Sequence, residues 1–237
     1  MVRSRPLLAV SVAAFLAVET TLGILFQTGH GNGAHLRYAT VVLACLFCFL
    51  FAEKTREYLC LQVALLLTVG ADWFLVLPAA PRQLPGMIFF SLAQLAYAAC
   101  LACDEPNPRR LRIWLWVRVS LSVVALAATV AVLGKGADAV ALLSVFYYAS
   151  LILNIAAAWS QTPRRLLMAV GFTLFLCCDT LIGLAFVDGY LPVDKTSCLY
   201  AILHPGFDAA WAFYLPSQML LAVSLLPKRW SMTASKM

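Results

Sequence analysis

Asp72 and Asp179 each place a carboxyl deep inside an apolar stretch long enough to cross a bilayer. A charge there is costly, so such a residue persists only where it faces a protein interior, a cavity or a partner. Two carboxyls in low-dielectric surroundings suit acid–base chemistry, one held protonated and the other ionised, or the carriage of protons. A third carboxyl, Glu19, and two amides, Gln94 and Gln218, sit in stretches of the same kind. Tyr97 lies one helical turn from Gln94, and Tyr214 one turn from Gln218. The plainer reading is structural: Asp72 and Asp179 bond across helices to Thr68, Ser91 or Gln218, at about 1 kcal/mol per bond.

The elements that must position these residues follow from composition. The chain of 237 residues is 63% hydrophobic and only 12% charged, with a mean hydropathy of +0.88, far from soluble globular values. Apolar windows near the roughly 20 residues a helix needs to span hydrocarbon recur at 7–27, 36–52, 58–78, 85–102, 111–133, 137–159, 164–187 and 208–227. Strands are a poor alternative, because stretches such as Leu121–Leu133 are apolar on every side rather than alternating. The first window carries Glu19 and lacks a small-residue cleavage site, so it reads as a transmembrane helix and not a removed signal. The expectation is an all-α bundle of eight transmembrane helices, residues 1–237 forming one integral membrane domain.

Loop cations test that reading. Taken segment by segment from the N-terminus, Lys and Arg number 2, 1, 2, 1, 3, 1, 2, 1 and 3, with Arg118 left inside the fifth helix. The alternation predicts 12 cations inside, 4 outside and both termini in the cytoplasm. The same collars explain the net charge of +6 without invoking nucleic acid. Arg118, about two turns from the cytoplasmic end, is expected to snorkel to that interface, with a role in holding a phosphate head group as the alternative.

Other chemistry finds little support. Cys45, Cys48, Cys100, Cys177 and Cys178 fall within helices, where cysteine behaves as a small apolar residue. Cys45-x-x-Cys48 has metal-ligand spacing, but there is no second such pair. Cys60 and Cys103 sit near cytoplasmic ends, and Cys198 is alone outside. His30, His35 and His204 fall in outer loops or at helix ends, away from the carboxyls, so neither a metal nor a cofactor is expected. Trp73, Trp114, Trp116, Trp211 and Trp230 read as interfacial anchors. No Gly-rich phosphate loop, Ser-x-x-Lys or Gly-x-Ser-x-Gly element is present.

Glu19, Asp72 and Asp179 each fall about two thirds along an outward-running helix, and Gln94 and Gln218 near the middle of the fourth and eighth, so all should lie at similar depth. Thr68 and Asp72 loosely match Thr173 and Asp179, and Phe90-Ser91-Leu92-Ala93-Gln94 resembles Tyr214-Leu215-Pro216-Ser217-Gln218. These echoes suggest a parallel 4+4 repeat with a polar pocket between its halves.

Gly-Ala-Asp-Trp at 70–73, Phe-Phe-Ser-Leu-Ala-Gln-Leu-Ala-Tyr at 89–97, Leu-Phe-Leu-Cys-Cys-Asp at 174–179 and Trp-Ala-Phe-Tyr-Leu-Pro-Ser-Gln at 211–218 resemble the YhhN-type membrane proteins, the lysoplasmalogenase family. The resemblance runs from about residue 36. It implies hydrolysis of the vinyl-ether bond of a lysophospholipid, the lysoplasmalogen, to a fatty aldehyde and a glycerophospho head group. By similarity the family's two intramembrane aspartates are Asp72 and Asp179, and the tyrosine and glutamine of its last helix are Tyr214 and Gln218. Where the family usually has histidine in an Ala-His-x-x-Tyr pattern, this chain has Gln94, with Tyr97 retained. The family's Lys-Pro pair near the second helix is replaced by Leu36-Arg37-Tyr38-Ala39.

The reaction itself needs two carboxyls. Protonation of the alkene carbon gives an oxocarbenium ion that water traps, so one group must supply a proton while the other stabilises the cation and deprotonates water. Asp72 and Asp179 suit those roles in either order, with Glu19, Gln94, Tyr97, Tyr214 and Gln218 as substrate-binding candidates. Two further readings stay open: a proton-coupled small-molecule or lipid transporter, with Gly70 and Gly171 as points of helix flexibility, and a non-catalytic lipid-binding relative. The host membrane could be a bacterial plasma membrane or the endoplasmic reticulum.

Overall fold

The computed structural model describes residues 5–30, 32–51, 53, 55–103, 105–188 and 207–226. The expectations for Cys198, His204 and Trp230 fall outside them. The described residues form eight α-helices and no strand: α1 (Arg5–Gln27), α2 (Gly33–Phe51), α3 (Arg56–Leu75), α4 (Gln83–Ala102), α5 (Pro108–Leu133), α6 (Ala139–Ser160), α7 (Leu166–Asp188) and α8 (Ala209–Val223). A 3-10 turn, Gly134–Gly136, joins α5 to α6. Seven helices, α1 to α7, are long and apolar enough to cross a membrane. α8 is equally apolar but has 15 residues and contains Pro216, whose missing N–H leaves one carbonyl of the preceding turn unpaired.

The starts and stops have local causes. Asn107 accepts from the backbone N–H groups of Arg109 and Arg110 while Pro108 fills the first helical position of α5. Asp138 accepts from Ala141 N at 2.8 Å to start α6, and Asp208 from Trp211 N at 3.2 Å to start α8. Gly134, at φ +54°, ends α5 in a conformation that side chains resist.

Packing sorts the helices into an inner ring and two outliers. α3 pairs most extensively with α4, and α7 with α8. α4 also packs on α6, α6 on α7, α2 on α3, and α2 on α8, so the order α2–α3–α4–α6–α7–α8 closes on itself. α1 lies outside, against α2 and α8, and α5 lies outside against α6. α5 buries only Ser122, which is why its sequence shows no apolar face: nearly its whole circumference faces lipid.

Small residues let the inner helices approach. A Cβ on Gly70 would come within 2.7 Å of the Phe89 ring, and one on Gly86 within 2.5 Å of Leu75 Cγ. At Gly171 the neighbours are Leu221 of α8, at 3.1 Å, and the Ser217 carbonyl. Gly70 and Gly171 thus stand where helices must touch, the use small residues have in membrane bundles. The C-terminal end of α1 and the N-terminal ends of α2 and α8 are tied together. Gln27 Nε2 donates to Asp208 O at 2.8 Å, Asp208 N donates to Gln27 Oε1 at 2.9 Å, and Arg37 forms an ion pair with Asp208 while its guanidinium lies over the rings of Phe26 and Trp211. Trp211 is therefore an internal residue and not the interfacial anchor expected, whereas Trp73 and Trp116 are exposed.

Candidate active site

Asp72 belongs to α3 and Asp179 to α7, members of the inner ring that do not follow one another in it. Each carboxyl is met by a tyrosine from another helix of the ring, across it for Asp72 and from the adjoining helix for Asp179. Tyr214 of α8 donates its hydroxyl to Asp72 Oδ2 at 2.6 Å, and Tyr147 of α6 donates to Asp179 Oδ2. Among the described residues no hydrogen bond reaches the Oδ1 atom of either aspartate, so each keeps one oxygen uncommitted. The two tyrosines flank one ring, Phe175, so the carboxyls they hold belong to one cluster.

An aromatic cluster holds this arrangement in place. Phe175, one turn before Asp179, meets the Tyr214 ring at a centroid distance of 5.2 Å, the Phe90 ring at 5.9 Å and the Tyr147 ring at 6.4 Å. Phe90 also lies 5.5 Å from Tyr147, and Trp211 4.9 Å from Tyr214. Rings on four helices, α4, α6, α7 and α8, thus fix the two hydroxyls. Two further bonds hold α6 to α7: Tyr148 with Thr180 at 2.7 Å, and Trp159 Nε1 to Thr173 at 3.2 Å.

The remaining candidates divide. Gln218 is 1% exposed on α8, one turn beyond Tyr214, and neither side-chain polar atom has a hydrogen-bond partner among the described residues. Tyr97 is buried, edge-on to the Phe172 ring at 5.0 Å and beside Thr68. Gln94 is buried too, but its bonds go to α6: Asn154 Nδ2 donates to its side-chain Oε1 at 2.8 Å and to its backbone oxygen at 2.9 Å. Glu19 is fully buried on α1 with both oxygens unpartnered, and no hydrogen bond ties it to the aspartates. The structural bonds expected of the aspartates do not form: Thr68 turns its hydroxyl back to the Ala64 carbonyl, and the Ser91 hydroxyl and the Gln218 amide stay without partners.

Tyr147 and Asn154 are the residues that reading the chain missed. Asn154 is a lone amide in an apolar helix, the same signal that singled out Gln94 and Gln218. Tyr147 gave none, because it sits beside Tyr148 in a run where aromatics are ordinary membrane-helix residues. Arg118 also differs from expectation. Its Nη2 donates to Asn154 Oδ1 at 2.6 Å and its Nη1 is buried, so the guanidinium stops at Asn154 instead of reaching the helix end.

The architecture is that of an α-helical protein with seven helices fit to cross a membrane and a buried pair of carboxyls among tyrosines. The YhhN family model matches residues 34–225, from the start of α2 to just past the end of α8, and the chain belongs to the YhhN family. α1, with Glu19, lies outside the matched region. No curated protein and no solved structure matches the chain.

Proposed function

We propose that this protein is a lysoplasmalogenase-like intramembrane hydrolase, cleaving the vinyl-ether bond of a lysophospholipid with Asp72 and Asp179 as its acid–base pair. The observation that carries the reading is that the two carboxyls, from α3 and α7, are each oriented by a tyrosine packed on the same Phe175 ring, each with an Oδ1 that no described residue engages. One carboxylic acid gives its proton to the β-carbon of the alkene. The second, ionised, faces the oxocarbenium carbon and takes a proton from the attacking water. The hemiacetal then collapses to aldehyde and the freed glycerol hydroxyl, returning the proton balance to its start. Both carboxyls need donors that fix their rotamers without quenching the charge of the ionised member, and a tyrosine hydroxyl does this.

Gln94 takes no proton in this scheme, since an amide does not titrate. Its Oε1 is held by Asn154, which leaves Nε2 as a fixed donor for a substrate oxygen. Tyr97 and Gln218 supply further buried polar groups for the glycerol. With both termini on the cytoplasmic side, as the loop cations direct, α3 and α7 run outward at equivalent places in a parallel repeat. Supporting that repeat, the pairing α1–α2, α2–α3, α3–α4 recurs as α5–α6, α6–α7, α7–α8, and α4–α6 as α8–α2.

Full-length protein purified in non-ionic detergent, incubated with lysoplasmalogen and assayed for fatty aldehyde, tests the proposal. Aldehyde from the native chain and from neither Asp72→Asn nor Asp179→Asn is the expected result. No aldehyde from the native chain, nor after Gln94→His restores the family's residue, would sink the hydrolase reading.

A further inference from the structure

On the side of α4 and α6 turned towards α5 lies a second polar feature that the acid–base pair does not use. A cavity of about 280 Å³ opens between α4, α5 and α6, with a wall of Ala98, Ala102, Leu111, Trp114 and Ala157. Arg118 and Asn154 line it as well. Nη2 of Arg118 is spent on Asn154, but Nη1 is buried with no hydrogen-bond partner among the described residues. No carboxylate among those residues lies within ion-pair distance of the guanidinium. The only acid among the described lining residues, Glu105, is already met by Arg110 Nε at 3.5 Å and by the Asn107 N–H at 3.2 Å.

A half-buried cation with one N–H buried and unpartnered among the described residues, at the head of an apolar slot, is an unsolved charge problem. An anion solves it, and an anion carrying a hydrocarbon chain satisfies the walls as well. We infer that the α4–α5–α6 cavity binds a single-chain anionic amphiphile, its carboxylate or phosphate head on the Arg118 guanidinium and its chain against Ala98, Trp114 and Ala157. The volume lies just under the ~300–1,000 Å³ of pockets that enclose a drug-sized ligand. It holds the head and the first part of the chain, and the rest lies along α5 in the bilayer. The site stands independently of the hydrolase reading. It is nevertheless wired to the core, because Asn154 grips Gln94 with one end and Arg118 with the other.

Displacement of a dansyl-labelled undecanoate from full-length protein in non-ionic detergent tests this. The competitors are palmitate, lysophosphatidate, uncharged monopalmitoylglycerol and inorganic phosphate. Palmitate and lysophosphatidate should displace the probe, whichever is tighter naming the head group, with monopalmitoylglycerol about tenfold weaker and inorganic phosphate inert. Arg118→Gln should weaken binding by about tenfold or more, and Ala98→Trp, which fills the slot while keeping the cation, should abolish it. Asp72→Asn should bind as the native chain does. Equal displacement by the uncharged lipid, displacement by phosphate alone, an unaffected Arg118→Gln, or loss of binding in Asp72→Asn would each overturn the assignment. Should Arg118→Gln not fold, undiminished binding to Ala98→Trp would do so by itself.

Discussion

Removing one oxygen atom, in Tyr214→Phe, interrogates the candidate site most directly. The ring of Tyr214 packs against Phe175 at 5.2 Å and Trp211 at 4.9 Å, contacts that phenylalanine keeps. What is lost is the 2.6 Å bond to an Asp72 that is 3% exposed. Hydrogen bonds between neutral side chains across membrane helices average about 0.6 kcal/mol and reach about 1.7. Bonds to a charged group are worth about 1.5–3 kcal/mol. The size of the coupling therefore reports the state of the carboxyl. Unfolding by titration of SDS into mixed micelles, applied to Tyr214→Phe, Asp72→Ala and the double variant, yields that coupling free of each variant's separate costs. A value near 0.6 kcal/mol marks Asp72 as the neutral acid, and one of about 1.5–3 kcal/mol as the ionised partner. The parallel cycle on Tyr147 and Asp179 should give the other value, since the reaction requires unequal carboxyls. Strict additivity in both cycles would refute the reasoning, because residues that share a buried bond cannot be energetically independent.

Other substitutions probe what holds the site together. Gly86→Ala brings a Cβ within 2.5 Å of Leu75 Cγ and should destabilise by about 1–3 kcal/mol, with Leu75→Ala in the same chain recovering most of the loss in thermal unfolding. Arg165 is fully buried at 2.8 Å from Glu57, so Arg165→Met should cost up to about 3–5 kcal/mol. The cost falls towards the low end because the Glu57 side chain is 16% exposed, and adding Glu57→Gln should reduce it further. Asn154→Leu cuts Gln94 from Arg118 and should lower aldehyde formation while leaving the helical circular dichroism unchanged.

Much of this was legible because hydrocarbon imposes severe rules. A helix is the one open element that satisfies its own backbone there, so uninterrupted apolar windows gave α1 to α7 to within a few residues at either end. The same severity singled out Asp72 and Asp179, since nothing excuses a carboxyl in such a place except a partner. Which partner was another matter. Thr68, Ser91 and Gln218 were natural choices from the chain alone, yet the donors are Tyr214 and Tyr147. Those bonds depend on the order of helices around the ring, and apolar helices carry little that specifies their neighbours. For the same reason Gln94 was placed with the aspartates by depth, although its bonds face α6. The isolation of α5 also escaped, because a helix among lipids and one among other helices are equally apolar.

The closure of the inner ring by α8 has a consequence for how the chain matures. α3 and α4 adjoin in sequence and can associate as soon as both are made, whereas Asp72 waits for Tyr214 of α8, 142 residues further along the chain. Until then a carboxyl sits in or beside the bilayer without its donor, and the Gln27–Asp208–Arg37 tie is also unmade. The Asp72–Tyr214 pair thus forms only after α8 is made. Any chain cut short before α8 exposes the polar groups by which quality control recognises an unfinished membrane protein.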